Sequence, residues 1–410
     1  MANNNKYTGP NVPALRFPEF SGEWEKVLLS SACEINPKTG SLDNQFLYID
    51  LESVVKGSLV KRQIIEKDGA PSRAQRVLKE NDILYQCVRP YQLNNYIFEG
   101  DTIQCVASTG YAQLRTTQFP LYIFQALHTK QFTNQVLERC TGTNYPAINS
   151  SDLGTVEVPI CSLPEQVKIG SLLALIDSRI KTQSKIIEEL TTLRSALYDS
   201  MFCSPEQEMP KFRIQLFSGK WQLCQLNEIC SRKSIKNKDN LYSRVLTIAA
   251  QHGLVDQESF FKKRIASENL ESYLCLEKGD FAYNKSYSLD YPWGAVKRLS
   301  NFDKGIISPL YICFTPKTEV VDPDYLAHYF ESTKWHSGIS EISGEGARNH
   351  GLLNMSVIDY FNTCHRIPGL DEQKAIARRL NAIAHKLQTE QEYLELLNRQ
   401  KDCFLKQMFI

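Results

Sequence analysis

Twelve cysteines and seven histidines are the residues of this 410-residue chain most suited to metal binding or nucleophilic chemistry. Their spacing assembles neither. There is no C-x-x-C and no H-E-x-x-H, and the nearest cysteine pair, Cys224 and Cys230, has five residues between. Cys364 and His365 are adjacent, and adjacent side chains diverge too far to hold one metal well. The expectation is reduced, mostly buried thiols in a reducing compartment, with no metal site.

Loops that cradle phosphates are also missing. The glycines of SGEGARNHG (343–351) follow no strand–helix unit, so they make no dinucleotide fingerprint, and no G-x-x-x-x-G-K-[ST] loop exists. No G-x-S-x-G nucleophile elbow is present. DYPW (290–293) has the outline of an amino-methyltransferase tetrapeptide, but the aromatic after Asp290 breaks it and no glycine-rich cofactor loop precedes it. The chain reads as a binder that carries no catalytic residues and no cofactor.

Bulk properties agree with a globular protein of more than one domain. Hydrophobic residues make up 42% and charged residues 23%, and no apolar run is long enough to span a membrane. The start, MANNNKYTGPNVPALRF, lacks a charged head before an apolar stretch, so it reads as a disordered lead-in and points to the cytoplasm. Net charge is +1, and no region departs from neutrality by more than two charges. Any anion contact must therefore come from local clusters, not from a global field.

The positioning elements are written twice. FSGEWE (20–25) returns as FSGKWQ (217–222), an offset of 197. LPEQVKIG…SMF (163–202) returns as LDEQKAIA…QMF (370–409), an offset of 207. In the first segment Ile169, Leu173, Ile176, Ile180, Gln183, Ile187, Leu190, Arg194, Leu197 and Met201 follow a spacing of 3.5 residues. In the second, Ile376, Leu380, Ile383, Leu387, Glu390, Leu394, Leu397, Lys401, Phe404 and Met408 do the same, with polar breaks at the same two places. That period keeps one stripe against a partner helix, so both segments predict coiled-coil helices. Ser162 and Glu165 form a plausible capping box for the first, and Pro164 suits its first turn.

Each helix follows a β-rich region with matching landmarks. LKENDILYQCVRPY (78–91) and LEKGDFAYNKSYSLDYPWG (276–294) each place an acidic turn before a strand carrying Tyr85 or Tyr283. ASTGYAQLRTT (107–117) and IISPLYICFTP (306–316) read as buried strands, and LYIFQALHTKQF (121–132) and YLAHYFESTKWH (325–336) as helices. A glycine loop follows in each half, and SPEQEMP (204–210) is the linker between halves. The predicted class is α+β: two mixed α/β domains in a tandem pseudo-two-fold repeat, separated by two long antiparallel helices. The boundaries are 1–160, 161–203 for the first helix, 204–366, and 367–410 for the second. Trp24 and Trp221 are expected to anchor the entry to each half, with Ser-Gly making the turn.

The ordered set of FSGEW, NDILY with VRPY, GTNYPAI, SDL and LPEQ, repeated as FSGKW, FAYNKSYS, YPWGAVKRL, SPLYICF, GARNHGLLN and LDEQ, resembles the specificity subunits of type I restriction–modification enzymes. The resemblance covers residues 12–410. It implies that each β-rich region is a target recognition domain reading one half of a split site in double-stranded DNA. It further implies two methyltransferase subunits docked near the helices, with translocase–nuclease subunits joining them. S-adenosylmethionine, ATP and Mg²⁺ would belong to those partners. A helix of about 38 residues spans roughly 57 Å at about 1.5 Å each, which bounds the separation of half-sites at about 17 base pairs.

Base edges demand forked donors and amides, and phosphates demand cations and backbone N–H groups. The candidates in the first half are Tyr85, Gln86, Arg89, Tyr91 and Asn94, with Thr143, Asn144 and Tyr145 in the glycine loop. In the second half they are Asn284, Lys285, Ser286 and Tyr287, with Arg348, Asn349 and His350 in its loop. Lys233, Lys236 and Lys238, and the run 262–264, are candidate phosphate grips. The other reading is a non-enzymatic coiled-coil adaptor whose two β-rich domains bind protein or RNA. Duplex-DNA affinity with a steep salt slope separates the two.

Overall fold

The computed structural model describes residues 11–263, 269–343 and 351–410. It divides into two compact units, Met1–Ser184 with Glu392–Ile410, and Lys185–Gln391. The long helices are Leu163–Met201 and Leu370–Gln407, each shared between the units. The sequence boundaries between β-rich regions and helices fall close to where these helices begin, whereas the compact units cut both helices partway along.

The first unit has two four-stranded sheets. One runs Cys33–Ile35, Tyr111–Thr116, Ile83–Gln86, Tyr96–Ile97, and is antiparallel throughout. The other runs Gln63–Glu66, Gln45–Ile49, Cys105–Ser108, Ala74–Val77, with one parallel pair at its centre. Glu25–Leu28 pairs antiparallel with Glu157–Ile160 and closes the domain just before the long helix.

The second unit repeats this order strand for strand. Its sheets run Cys230–Arg232, Ile312–Pro316, Phe281–Asn284, Ala295–Arg298, and Gly253–Asp256, Val245–Ala249, Lys304–Ile307, Leu274–Glu277. The parallel pair recurs between Val245–Ala249 and Lys304–Ile307, and Gln222–Gln225 pairs with Cys364–Ile367. The repeat is therefore a repeat of topology, not only of punctuation.

Several predicted elements break where local chemistry demands. The stretch 107–117 turns at Thr109-Gly110 and belongs to two strands in different sheets. The apolar stretch 121–132 is two helices, Pro120–Ala126 and Lys130–Arg139, because Thr129 accepts a hydrogen bond from the N–H of Phe132 and starts a new N-terminus. Its counterpart splits into Pro323–Glu331 and His336–Ile342 around Ser332.

Every apolar seam residue is buried or half-buried: Ile169, Leu173, Ile176, Ile180, Ile187, Leu190, Leu197, Ile376, Leu380, Ile383, Leu387, Leu394, Leu397 and Phe404. Gln183, one of the polar breaks, is buried as well. Within the first unit Ile169, Leu173 and Ile176 share a core with Leu405, Met408 and Phe409, so the start of one long helix packs on the end of the other. The second unit does the converse, joining Met201 and Phe202 to Ile376 and Leu380. The helices are thus antiparallel in each unit, and each terminal Met-Phe becomes core. Trp24 stands edge-on to Tyr122 at 6.1 Å and to Phe409 at 6.2 Å. Each such buried aromatic contributes roughly 1.5–3 kcal/mol relative to exposure.

The two echoed phrases meet in space. Arg16 donates to Glu165 through Nε at 2.7 Å and a terminal nitrogen at 2.8 Å, and to the carbonyl of Gly22 at 2.6 Å. Arg213 does the same to Glu372 and the Gly219 carbonyl. Gly22 and Gly219 both hold positive φ, which lets their carbonyls face the guanidinium. The capping box expected from Ser162 and Glu165 is replaced by this clamp: Glu165 is held by Arg16, and Ser162 contributes its backbone carbonyl, which accepts from the N–H of Gln166. Gln166 and Gln373, next in each L-x-E-Q, are buried and donate to the carbonyls of Cys161 and Pro368.

Candidate nucleic-acid interface

Strand Ile83–Gln86 ends at the first candidate loop. The following backbone is zipped to the glycine loop: Arg89 N–H donates to the Pro146 carbonyl at 2.7 Å, Ile148 N–H donates to the Cys87 carbonyl at 3.0 Å, and Val88 bridges Ala147. The glycine loop closes on itself through two 2.9 Å bonds between Thr141 and Ala147. Gly142, at φ 91°, makes that closure possible, since a Cβ there would lie 3.1 Å from the Tyr145 carbonyl oxygen.

Two candidates far apart in sequence are brought together. The Arg89 guanidinium lies 4.3 Å over the Tyr145 ring. Arg89 itself sits at φ 55°, ψ 55°, heading a short Pro90–Gln92 turn. A left-handed arginine is uncommon and is held here by its bond to Pro146. Tyr91, Thr143, Asn144 and Tyr145 are exposed around the pair. Stacked guanidinium and ring present a flat cation beside free donors, a surface suited to phosphates and base faces.

Tyr85, Gln86 and Asn94 are corrections. Tyr85 is fully buried, edge-on to Phe132 at 5.8 Å, and its desolvated hydroxyl is pushed to a far higher pKa than usual. Gln86 is also buried, and its amide donates to the Val88 carbonyl at 2.7 Å and to Gln92 Oε1 at 2.9 Å. It also accepts from the N–H of Asn94. Asn94 is half-buried, with Oδ1 accepting from the N–H of Lys56 at 3.0 Å. These side chains build the loop from beneath, with the amides of Gln86 and Asn94 spent on backbone groups and on Gln92.

The second unit builds a related loop. Asn284 accepts from the N–H of Ser286 at 3.0 Å, Tyr287 N–H donates to the Gly351 carbonyl, and Leu353 N–H donates to the Lys285 carbonyl. Ser286 bridges Leu352, as Val88 bridges Ala147. Lys285 and Tyr287 are half-buried and Ser286 is exposed. Gly294 sits against this loop at φ 78°, and a Cβ there would come within 2.2 Å of the Asn284 carbonyl oxygen. Arg348, Asn349 and His350 lie outside the described residues, as does Arg264.

Lys233, Lys236 and Lys238 line one cavity of about 640 Å³. Lys304 and Tyr242, which sequence reasoning missed, line it too. Only strand pairing reveals Lys304, because it lies opposite Glu277 in the sheet. Lys233 is not free for a phosphate: it ion-pairs with Asp280 at 3.1 Å and Glu277 at 3.4 Å. Among the described residues no group of three or more His, Cys, Asp or Glu side chains is placed to hold a metal, and no helix is long and apolar enough to cross a membrane. All twelve cysteines are free thiols, and burial pushes those of Cys33 and Cys87 up to about 11.

The family of type I restriction modification DNA specificity domains matches residues 21–192. The chain is 23% identical to the MjaVIII type I restriction enzyme specificity subunit of Methanocaldococcus jannaschii over 68% of this chain and 67% of that one. It is similar in fold to the S subunit of a type I restriction–modification system from M. genitalium, with TM-score 0.59, 15% identity, and coverage of 97% and 99% of the two chains. A chain from a structure of a type I R-M system also matches, with TM-score 0.53, 19% identity, and coverage of 94% and 97%.

Proposed function

We propose that the chain is a specificity subunit of a type I restriction–modification enzyme and that it reads a bipartite DNA target, one half-site per unit, on behalf of catalytic partners. The observation that carries this is the duplication of the frame beneath unlike loops. Arg16–Glu165 and Arg213–Glu372 hold equivalent places, and the strand order is the same, while the loops above them differ in sequence, VRPY and GTNYPAI in the first half against KSYS and GARNHGLLN in the second. A shared scaffold with divergent loops is what two readers of different sequences require.

In this reading the chain performs no catalysis and acts in the cytoplasm. Two methyltransferase subunits dock on the long helices and supply S-adenosylmethionine chemistry, and translocase–nuclease subunits supply ATP- and Mg²⁺-dependent steps. Linking two weak readers raises the affinity of each through effective concentration. Helix length sets the gap between half-sites. Local cations serve the phosphates, since the chain as a whole carries only +1.

The test is methylation mapping of a genome in cells that express the chain with its partner methyltransferase. A split motif supports the reading, and exchanging residues 12–160 for another recognition domain changes one half of it only. Modification without a split motif, or none that depends on this chain, would overturn it.

A further inference from the structure

We propose that Arg76, on the edge strand Ala74–Val77, is a contact to the phosphodiester backbone of the half-site read by the first unit. The inference rests on the DNA-reading function above and adds a residue that sequence reasoning passed over.

Arg76 is half-buried, yet its Nε is sealed from solvent with no hydrogen-bond acceptor. Its guanidinium forms no ion pair among the described residues. Two other half-buried guanidiniums on the sheets are compensated by carboxylates: Arg115 faces Asp82 at 2.7 Å and Arg298 faces Asp324 at 2.6 Å. An uncompensated, partly desolvated cation is costly. Burial lowers the pKa of Arg76 from its usual value, in keeping with that cost.

The fold does not need an arginine there. Arg76 lies opposite Ala107 in its sheet. The residue in the same place of the second unit, opposite Ile307, is Leu274, which packs against the core. A leucine thus satisfies the equivalent framework position, and the arginine serves something outside the fold.

Its location says what. The head of the strand that carries Arg76 is tied to the Cys87 segment through one turn: the Thr109 N–H donates to the Arg73 carbonyl at 2.9 Å, and the Cys87 N–H donates to the carbonyl of Gly110, the next residue of the turn, at 3.0 Å. Cys87 is two residues from Arg89 and is bonded through its carbonyl to the glycine loop at Ile148. The edge strand that carries the orphaned cation is thus hydrogen-bonded, through this turn, to the segment that leads into the Arg89–Tyr145 pair. A neutral base edge would supply an acceptor but no charge; a phosphate supplies both, in the forked geometry that guanidinium fits.

The experiment uses the full chain with its co-expressed methyltransferase partner, comparing Arg76→Met and wild type on duplexes carrying the mapped target. Arg76→Met is expected to weaken binding about tenfold, uniformly across half-site sequences, and to lower the slope of log affinity against log salt by about one. Its melting temperature should equal or exceed that of wild type, because an uncompensated charge is removed. Wild-type affinity and slope in the variant would overturn the assignment. So would a change of preference at a single base pair, which marks base readout, or a melting temperature that falls in step with affinity, which marks a structural role. If wild type itself shows no split motif, the proposed function fails instead, and the two failures are told apart.

Discussion

Arg16 and Glu165, separated by 149 positions, meet through two nearly parallel hydrogen bonds, with only 3% and 1% of their side chains exposed. This clamp ties the entry segment of the first half to the base of its long helix, and Arg213–Glu372 repeats it. Removing one partner of a buried, bidentate pair strands the other charge, which costs about 3–5 kcal/mol. Glu165→Gln should destabilise the first unit by that order and leave the second close to wild type, with Glu372→Gln doing the reverse. Hydrogen exchange resolved by unit checks this; equal loss of protection in both units would contradict it.

The stacked Arg89–Tyr145 pair and the buried Tyr85 make opposite predictions only a few residues apart. Tyr145→Ala should weaken duplex binding by roughly 1–3 kcal/mol, as expected for loss of a stacking platform, and should disturb the first half-site alone. Tyr85→Phe should leave binding unchanged. It should not lower the melting temperature, because the Tyr85 hydroxyl is buried without a partner and its removal ends an unmet desolvation cost. Titration of both variants against one duplex measures the contrast.

Acid should destabilise the protein before its carboxylates titrate. His128, His336 and His365 are held neutral by burial, each with its pKa lowered to about 4. An unfolded histidine titrates near 6.5, so between about pH 6.5 and 4 the unfolded chain binds protons that the folded chain refuses. Stability is therefore full above about pH 6.5 and is lost as pH falls toward 4, by up to roughly 1.4 kcal/mol per pH unit for each histidine. His365, with Nδ1 3.0 Å from the Tyr329 hydroxyl, is the most informative site. In urea melts across this range, His365→Asn should have a lower plateau but a shallower slope.

Gly294 should be intolerant of any side chain. Its positive φ and its approach to the Asn284 carbonyl leave no room for a methyl group. Gly294→Ala must push the loop holding Ser286 and Tyr287 away, at a cost of about 1–3 kcal/mol. Motif mapping should then show a relaxed second half-site with the first intact. Gly219→Ala is the control: it has positive φ but open space around it, so it carries backbone strain alone.

The sequence by itself determined the repeat, the two long helices and their seam. Those signals are local or periodic: a spacing of 3.5 residues marks a stripe turned from water whatever the stripe packs against, and the apolar seam positions from Ile169 to Phe404 are buried or half-buried. What lay beyond it were choices between faces and between distant partners. Alternation in a strand separates two faces but does not say that both are covered. In Ile83–Gln86 both are, with Tyr85 in one core and Leu84 in another, so a stretch that reads as a polar reading surface lies inside. Pairings across more than a hundred residues, such as Arg16 with Glu165, and the missing partner of Arg76 leave no mark on spacing. Tertiary structure decided them, because a charge is compensated or stranded only by what the fold brings beside it.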